Sequence, residues 1–317
     1  MHRHREETAM RKKIRTATEK AASRRKARRG RAILARKARA IETIASGSAC
    51  DAAANLALRQ GIYAGKIYRI TSSVAAKQLV AAVVALLAEE FGPAPLEAFR
   101  RLQFTLPGQE LFERMGKVRK TLFARPELQA LVFAVLAEQG FTAEANAVDP
   151  ARMRAVTSGG HLNPLAAPAY TAHRDTWYSN PQAQINWWIP MHDVGVGETF
   201  SFFPALFDVR VANDSADFDY DRWAAEVGFQ NTSGLKAVYP SASGFDEDSA
   251  LPFACQAGDI MLFAASHLHQ TAKNASGATR FSTDFRTVNL DDHNKGLGAP
   301  NVDNLCTGSC LADYLGS

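Results

Sequence analysis

Residues 258–289 read GDIMLFAASHLHQTAKNASGATRFSTDFRTVN. A Gly-Asp turn leads into the apolar run 260–264, then come His267 and His269, the turn-forming Asn274-Ala-Ser-Gly277, and a second run, 280–289, rich in β-branched and aromatic residues. The pattern is strand, turn, strand. His267 and His269 have the same parity, so strand alternation does not choose between them as partners for a common site. Arg280 enters the second run eleven residues after His269, placed to reach back toward the histidines, and Arg286 shares its parity.

The same texture extends upstream to about residue 152. Short runs at 153–157, 183–190 and 199–203 carry strand formers between turn signals, and one helix is expected near 219–227. Several short strands at such spacing predict a sandwich or barrel. Residues 50–149 look mainly helical, after a short first strand at 65–70. Ser72 or Ser73 offers an N-cap for an apolar helix over 74–91 that ends at Gly92-Pro93. Further helices fit 109–123 and 126–139, the latter with Pro126 at its start and Gly140 at its end.

Residues 171–180, TAHRDTWYSN, fit two patterns. One is the kinase catalytic loop, His-Arg-Asp with Asn at the fifth place after Asp. No Gly-rich loop precedes it, and neither Asp-Phe-Gly nor Ala-Pro-Glu follows, so that reading fails. The other is a metal-binding His-x-Asp pair. On an extended strand His173 and Asp175 face one point while Arg174 turns away. Two imidazoles and one carboxylate make the facial triad of non-haem Fe(II) oxygenases, which leaves open positions for exogenous ligands. The second imidazole is His267 or His269.

His-x-Asp, a long gap, a distal His and an Arg about ten residues later resemble the Fe(II)- and 2-oxoglutarate-dependent dioxygenases, in particular the phytanoyl-CoA dioxygenase-like family. Gln184-Ile-Asn-Trp-Trp-Ile-Pro190, His192-Asp-Val194 and Ser201-Phe-Phe-Pro204 are similar to that family's succeeding strands. Where the family often continues Pro-Gly-Ser-His, this chain has Pro204-Ala-Leu-Phe207, a departure beside the site that bears on substrate. The resemblance covers about residues 150–290. It implies a mainly β fold with a helical layer, a double-stranded β-helix (jelly-roll, cupin-like) core behind N-terminal helices. It implies that His173, Asp175 and His269 hold Fe(II), the eleven-residue spacing favouring His269 over His267. It implies that Arg280 grips the distal carboxylate of 2-oxoglutarate, with Arg286 the rival. The cofactors implied are Fe(II), 2-oxoglutarate as co-substrate and O2. The reaction implied is hydroxylation of a small molecule with release of succinate and CO2, since halogenases of this kind lack the carboxylate that Asp175 supplies.

By alternation Asn186 and Trp188 share one face of their strand and Ile185 and Trp187 the other. Asn186 is expected to hydrogen-bond 2-oxoglutarate or substrate, or else a backbone group. Trp177, Tyr178 and Trp188 are candidates for the substrate pocket, and the other nearby aromatics for core.

The charge is uneven. Residues 1–40 hold 16 Lys or Arg against 3 Glu, while the remainder holds 21 basic against 29 acidic residues. Residues 1–45 therefore read as a basic, flexible arm, suited to an anionic partner such as nucleic acid or a membrane surface. The division expected beyond it is a helical layer over 46–150, a catalytic core over 151–292 and a C-terminal tail over 293–317. The longest apolar run, 79–88, is too short to span a membrane. No apolar segment follows the basic start, so a cytoplasmic location and free thiols are expected for Cys50, Cys255, Cys306 and Cys310. The competing reading is a non-catalytic cupin-like binding protein tethered by its arm.

Overall fold

The computed structural model describes residues 41–226, 228 and 239–316. The architecture is mixed α/β: a six-stranded sheet carries helices on one face and a smaller three-stranded sheet accompanies it. Strands β1 (Ile41–Ala45), β2 (Ile67–Thr71), β3 (Asn146–Val156), β4 (Gln184–Pro190), β9 (Ile260–Ala264) and β11 (Arg280–Asn289) form the large sheet, in the order β1-β2-β9-β4-β11-β3. The small sheet pairs β10 (His269–Thr271) with β5 (Phe200–Phe202) and β5 with β8 (Leu251–Pro252). A two-stranded ribbon joins β6 (Ala212–Asn213) to β7 (Ala242–Ser243). Residues 1–40 lie outside the described residues, and the last five positions of the expected arm are instead strand β1, paired in parallel with β2.

The helices follow local chemistry. Val74–Phe91 starts at Ser73, whose hydroxyl accepts from the Ala76 N–H, and ends at Gly92. Glu138, closing the helix Pro126–Glu138, accepts the N–H groups of Val74 and Ala75 and so ties two helices together. Gly140 turns the chain back toward the sheet at φ +75°, where a Cβ would meet the Ala49 carbonyl at 2.2 Å. With Ala52–Tyr63 and Gly108–Ala124, these helices bury their apolar faces against one side of the large sheet. No single helix among the described residues is long and apolar enough to cross a membrane.

Alternation along β4 sorts its side chains. Ile185, Trp187 and Ile189 join the helical core, with Trp187 edge-on to Phe141 at 5.0 Å and stacked on Phe285 at 5.4 Å. Asn186 turns the other way, onto Asp175, and Trp188 meets Phe200 and Phe253. In β11 the odd residues Phe281 and Phe285 join the helical core, leaving Arg280, Ser282, Asp284 and Arg286 on the opposite face. All four cysteines are free. The segment expected as a C-terminal tail is built in: Leu315 bridges Val148, and Asp303 receives bonds from Arg174, Trp177 and the Val211 N–H.

Candidate metal centre

The His-x-Asp pair is not on a continuous strand. His173 forms an isolated antiparallel bridge with His269, each N–H donating to the other's carbonyl at 3.0 Å. The chain then tightens into a 3-10 turn, Asp175–Tyr178, which Ser179 closes at φ 62°. Arg174 does turn away, as expected, but into the protein. Its guanidinium is 1% exposed and donates to Asp303 and to the carbonyls of Leu206, Phe207, Ser266 and Val209. That anchor, with the Asp175 N–H on the Ala265 carbonyl at 2.9 Å and the Asn180 amide on the Asp175 carbonyl at 2.7 Å, fixes the turn. Asn180, the residue that matched the kinase pattern, is a backbone tie.

The bridge and the turn bring His173, Asp175 and His269 together, with one ligand atom from each within 4.8 Å of the others. The Nε2 atoms of His173 and His269 lie 3.5 and 3.8 Å from Asp175 Oδ1. An ion with bonds of about 2.1 Å places adjacent ligand atoms about 3 Å apart, so this cluster is of the right size and chemistry to hold one. The tautomers agree. His173 Nδ1 faces the Thr171 carbonyl at 3.0 Å and His269 Nδ1 the His267 carbonyl at 2.9 Å. A carbonyl only accepts, so each Nδ1 carries the proton and each Nε2 presents its lone pair inward.

Electrostatics keep His269 and Asp175 in ligand form. Burial pushes the His269 imidazole down to about 4, helped by the neighbouring His173 ring. Burial alone would raise the Asp175 carboxyl, but the facing His173 and His269 imidazoles and the Arg286 guanidinium outweigh it and hold it well below the usual carboxylate range. His267 is elsewhere. It lies in the turn between β9 and β10, fully buried beside Phe207 and Phe202, and neither ring nitrogen makes a well-formed hydrogen bond, although the Gly65 backbone is nearby. Burial pushes it down to about 3.

Asn186 has side-chain partners that the sequence did not point to. Its amide is already engaged: Nδ2 donates to Asp175 Oδ2 at 2.6 Å, while its Oδ1 accepts from Gln184 Nε2 at 2.8 Å. Gln184 in turn accepts from the Tyr314 hydroxyl at 2.6 Å. This chain orients the Asp175 carboxylate, occupying Oδ2 and leaving Oδ1 toward the imidazoles. Partners of this kind are worth about 10- to 100-fold in metal affinity. Asn186→Ala is therefore expected to weaken divalent-metal binding by that factor, as measured by competition with a chromophoric chelator; an unchanged affinity would show the contact to be idle.

The aromatic candidates separate. Trp177 is fully buried in a cluster with Ala172, Phe203, Val211 and Leu268, its Nε1 donating to Asp303 at 3.0 Å, so it is a structural anchor and not a pocket wall. Tyr178 stands edge-on to His173 at 5.4 Å, and its hydroxyl donates to the Pro240 carbonyl. Trp188 is nearly buried, 5.3 Å from Phe200, which lies 5.7 Å from His269. Phe263 flanks His269 at 5.5 Å.

Above Trp188, 5.7 Å from its ring centre, lies the Arg280 guanidinium. It is 4% exposed, with Nε on the Glu198 carbonyl at 3.0 Å and Nη1 on the Ser282 hydroxyl at 2.6 Å. Among the described residues no carboxylate oxygen lies within ion-pair distance of it. Burial pulls it down to about 10, so it remains a cation at neutral pH. The rival, Arg286, is committed to Asp149 at 2.7 Å.

No protein-family model matches this sequence, and no curated protein matches it. Solved structures do. EvdO2 from Micromonospora carbonacea var. aurantiaca, complexed with 2-oxoglutarate, is 13% identical with a TM-score of 0.36, over 54% of this chain and 63% of that one. The non-heme monooxygenase ThoJ is 14% identical with a TM-score of 0.35, over 68% and 69%. The epimerase SnoN, in complex with Fe3+, alpha ketoglutarate and nogalamycin RO, is 12% identical with a TM-score of 0.37, over 74% and 84%. The chain thus spans less than two thirds of EvdO2. The reading of the centre rests on its own geometry.

Proposed function

We propose that this chain is an Fe(II)- and 2-oxoglutarate-dependent oxygenase of the phytanoyl-CoA dioxygenase-like kind. In this reading its two larger sheets are the walls of a double-stranded β-helix. Residues 151–292 then form the catalytic core and 46–150 its helical layer. The reaction converts a substrate C–H, 2-oxoglutarate and O2 into the alcohol, succinate and CO2. The observation that carries the reading is the convergence of two Nε2 atoms and one carboxylate oxygen, joined through aromatic contacts to a buried guanidinium that has no carboxylate partner among the described residues.

His173, Asp175 and His269 would hold Fe(II) on three sides, leaving adjacent positions for exogenous ligands. The bound ion with its keto acid supplies dioxygen activation and the oxidising power to cleave a C–H bond. The chain's own residues do the rest. Arg280 binds the distal carboxylate of 2-oxoglutarate with a planar fork, which an ammonium does not reproduce. The Nδ1–H bonds to the Thr171 and His267 carbonyls lock both imidazoles. Asn186 holds Asp175 Oδ2. Phe200, Phe263 and Tyr178 keep water from the imidazoles.

Anaerobic addition of Fe(II) and 2-oxoglutarate to the full chain is expected to give a weak visible charge-transfer band, and aeration with substrate is expected to release succinate. No band at saturating concentrations would return the chain to the non-catalytic binding protein.

A further inference from the structure

The Arg280 guanidinium has an acidic neighbour that does not pair with it. Nε donates to the Glu198 carbonyl and Nη1 to the Ser282 hydroxyl, while Nη2 has no protein acceptor among the described residues. The Glu198 carboxylate belongs to the very residue whose backbone holds this guanidinium, and its charge is felt there. Rotation about the staggered bonds of a Glu side chain is enough to carry the carboxylate past Arg280. A nearly buried cation and an acid within one side chain's length pair when nothing else holds the acid, because each charge left alone has lost hydration.

Arg100 holds it. This residue closes the short helix Leu96–Phe99 in the helical layer, and its Nη2 donates to Glu198 Oε1 at 2.7 Å, with the two side chains 13% and 14% exposed. Glu198 Oε2 faces the Gly195 N–H at 3.3 Å. Arg100 is fixed independently of Glu198. Its Nε donates to the Thr279 carbonyl at 3.1 Å, the Thr279 N–H returns to the Arg100 carbonyl at 2.8 Å, and Nη1 lies on both Glu97 oxygens at 3.0 and 3.1 Å. Thr279 immediately precedes Arg280, where the sheet gives little support: on the β4 side the ladder begins only at Ser282, opposite Pro190. One guanidinium therefore ties down the start of β11 and takes the nearby carboxylate. Arg280 keeps the Glu198 carbonyl but not its charge. If Glu198 paired with Arg280 instead, an incoming anion would first have to displace it and would bind correspondingly more weakly.

We propose that Arg100 is a positioning residue that keeps the Glu198 carboxylate off Arg280, so that the Arg280 guanidinium stays open to an anion. That the anion is the distal carboxylate of 2-oxoglutarate rests on the oxygenase reading, and the guarding of Arg280 does not. Arg100→Gln removes the charge and keeps an amide donor for the Thr279 carbonyl. In titrations of the anaerobic ferrous band, this variant of the full chain is expected to bind 2-oxoglutarate about tenfold or more weakly than wild type, and Arg100→Gln/Glu198→Gln to return to within a few-fold of it. Removing the intruding carboxylate relieves a lost guard but does not relieve a general loosening of the fold. Proton–nitrogen correlation spectra of the isotope-labelled chain, with neither iron nor 2-oxoglutarate, read the guard directly. The Arg280 Nε–H signal, assigned by its absence from Arg280→Lys, is expected to move in Arg100→Gln and to return in the double variant. No band in wild type, with this signal moving and returning, would overturn the oxygenase reading alone. The guard is overturned by an Arg100→Gln affinity equal to wild type, by a double variant as weak as the single one, or by an Arg280 signal that stays in place. Thermal melting supplies the last outcome: a single variant that does not fold beside a double variant that does would show that the stranded carboxylate finds no second cation, and an unfolded double variant would make Arg100 a support of the fold; either overturns the guard.

Discussion

His269→Ala is expected to abolish the visible band of the ferrous 2-oxoglutarate complex and all substrate-dependent succinate release, while His267→Leu retains both. The two histidines are two residues apart, yet their surroundings are opposite. His269 has its Nδ1 proton taken by a carbonyl and its Nε2 3.8 Å from Asp175, beside a second imidazole whose ring centre is 4.4 Å away. Removing it leaves two ligands, so the loss should exceed the roughly 100-fold ceiling typical of outer partners. His267 sits in an aromatic pocket with both nitrogens lacking well-formed hydrogen bonds. Replacing a buried, poorly satisfied ring with an apolar side chain is expected to change stability by no more than about 1 kcal/mol, and in the stabilising direction if the orphaned nitrogens dominate. Thermal melting checks the second variant and anaerobic absorbance checks both. A band that survived in His269→Ala and vanished in His267→Leu would reassign the third ligand.

Strand parity could not separate these two because no strand joins them. β9 ends at Ala264, a turn carries the chain from the large sheet to the small one, and β10 begins at His269. The twofold alternation that sorted Asn186 from Trp187 fails wherever backbone leaves the extended region. The same reason explains Asp175, read on a strand with His173 but presented by a 3-10 turn. Helices with local caps were legible: Ser73, Gly92 and Pro126 bound their helices where the expectation put them. Strand β3 runs further upstream than expected. Pro150 argues against a strand interior, but β3 is an edge strand and Pro150 falls at the register shift between Asp149 and Arg152. The Tyr314–Gln184–Asn186–Asp175 chain was illegible, since it joins residues up to 139 positions apart and follows no local pattern. Trp177 misled for a related reason: adjacency to a ligand says nothing about which side of a tight turn the ring takes, and Asp303, far along the chain, decides it.

Arg280→Leu is expected to raise the dissociation constant for 2-oxoglutarate on the order of 100-fold or more while leaving iron affinity within a few-fold of wild type. A two-point contact between guanidinium and carboxylate, made away from water, is worth roughly twice a neutral hydrogen bond at each point, and about 1.4 kcal/mol corresponds to each tenfold. The variant also leaves the carboxylate buried without a partner, which adds to the cost. Arg280→Lys should recover only part of the affinity, because an ammonium keeps the charge but not the fork. The internal contacts sharpen the expectation. Nε and Nη1 are already held by the Glu198 carbonyl and the Ser282 hydroxyl, so the guanidinium is fixed in place before any ligand arrives. A lysine at 280 would not inherit both anchors. Arg286 cannot substitute in either variant, being engaged by Asp149. Titration of the anaerobic band with 2-oxoglutarate reads the affinity, and chelator competition reads the iron. Equal losses of both in Arg280→Leu would mean that the side chain supports the fold of the centre, and an unchanged 2-oxoglutarate affinity would place the carboxylate clamp elsewhere.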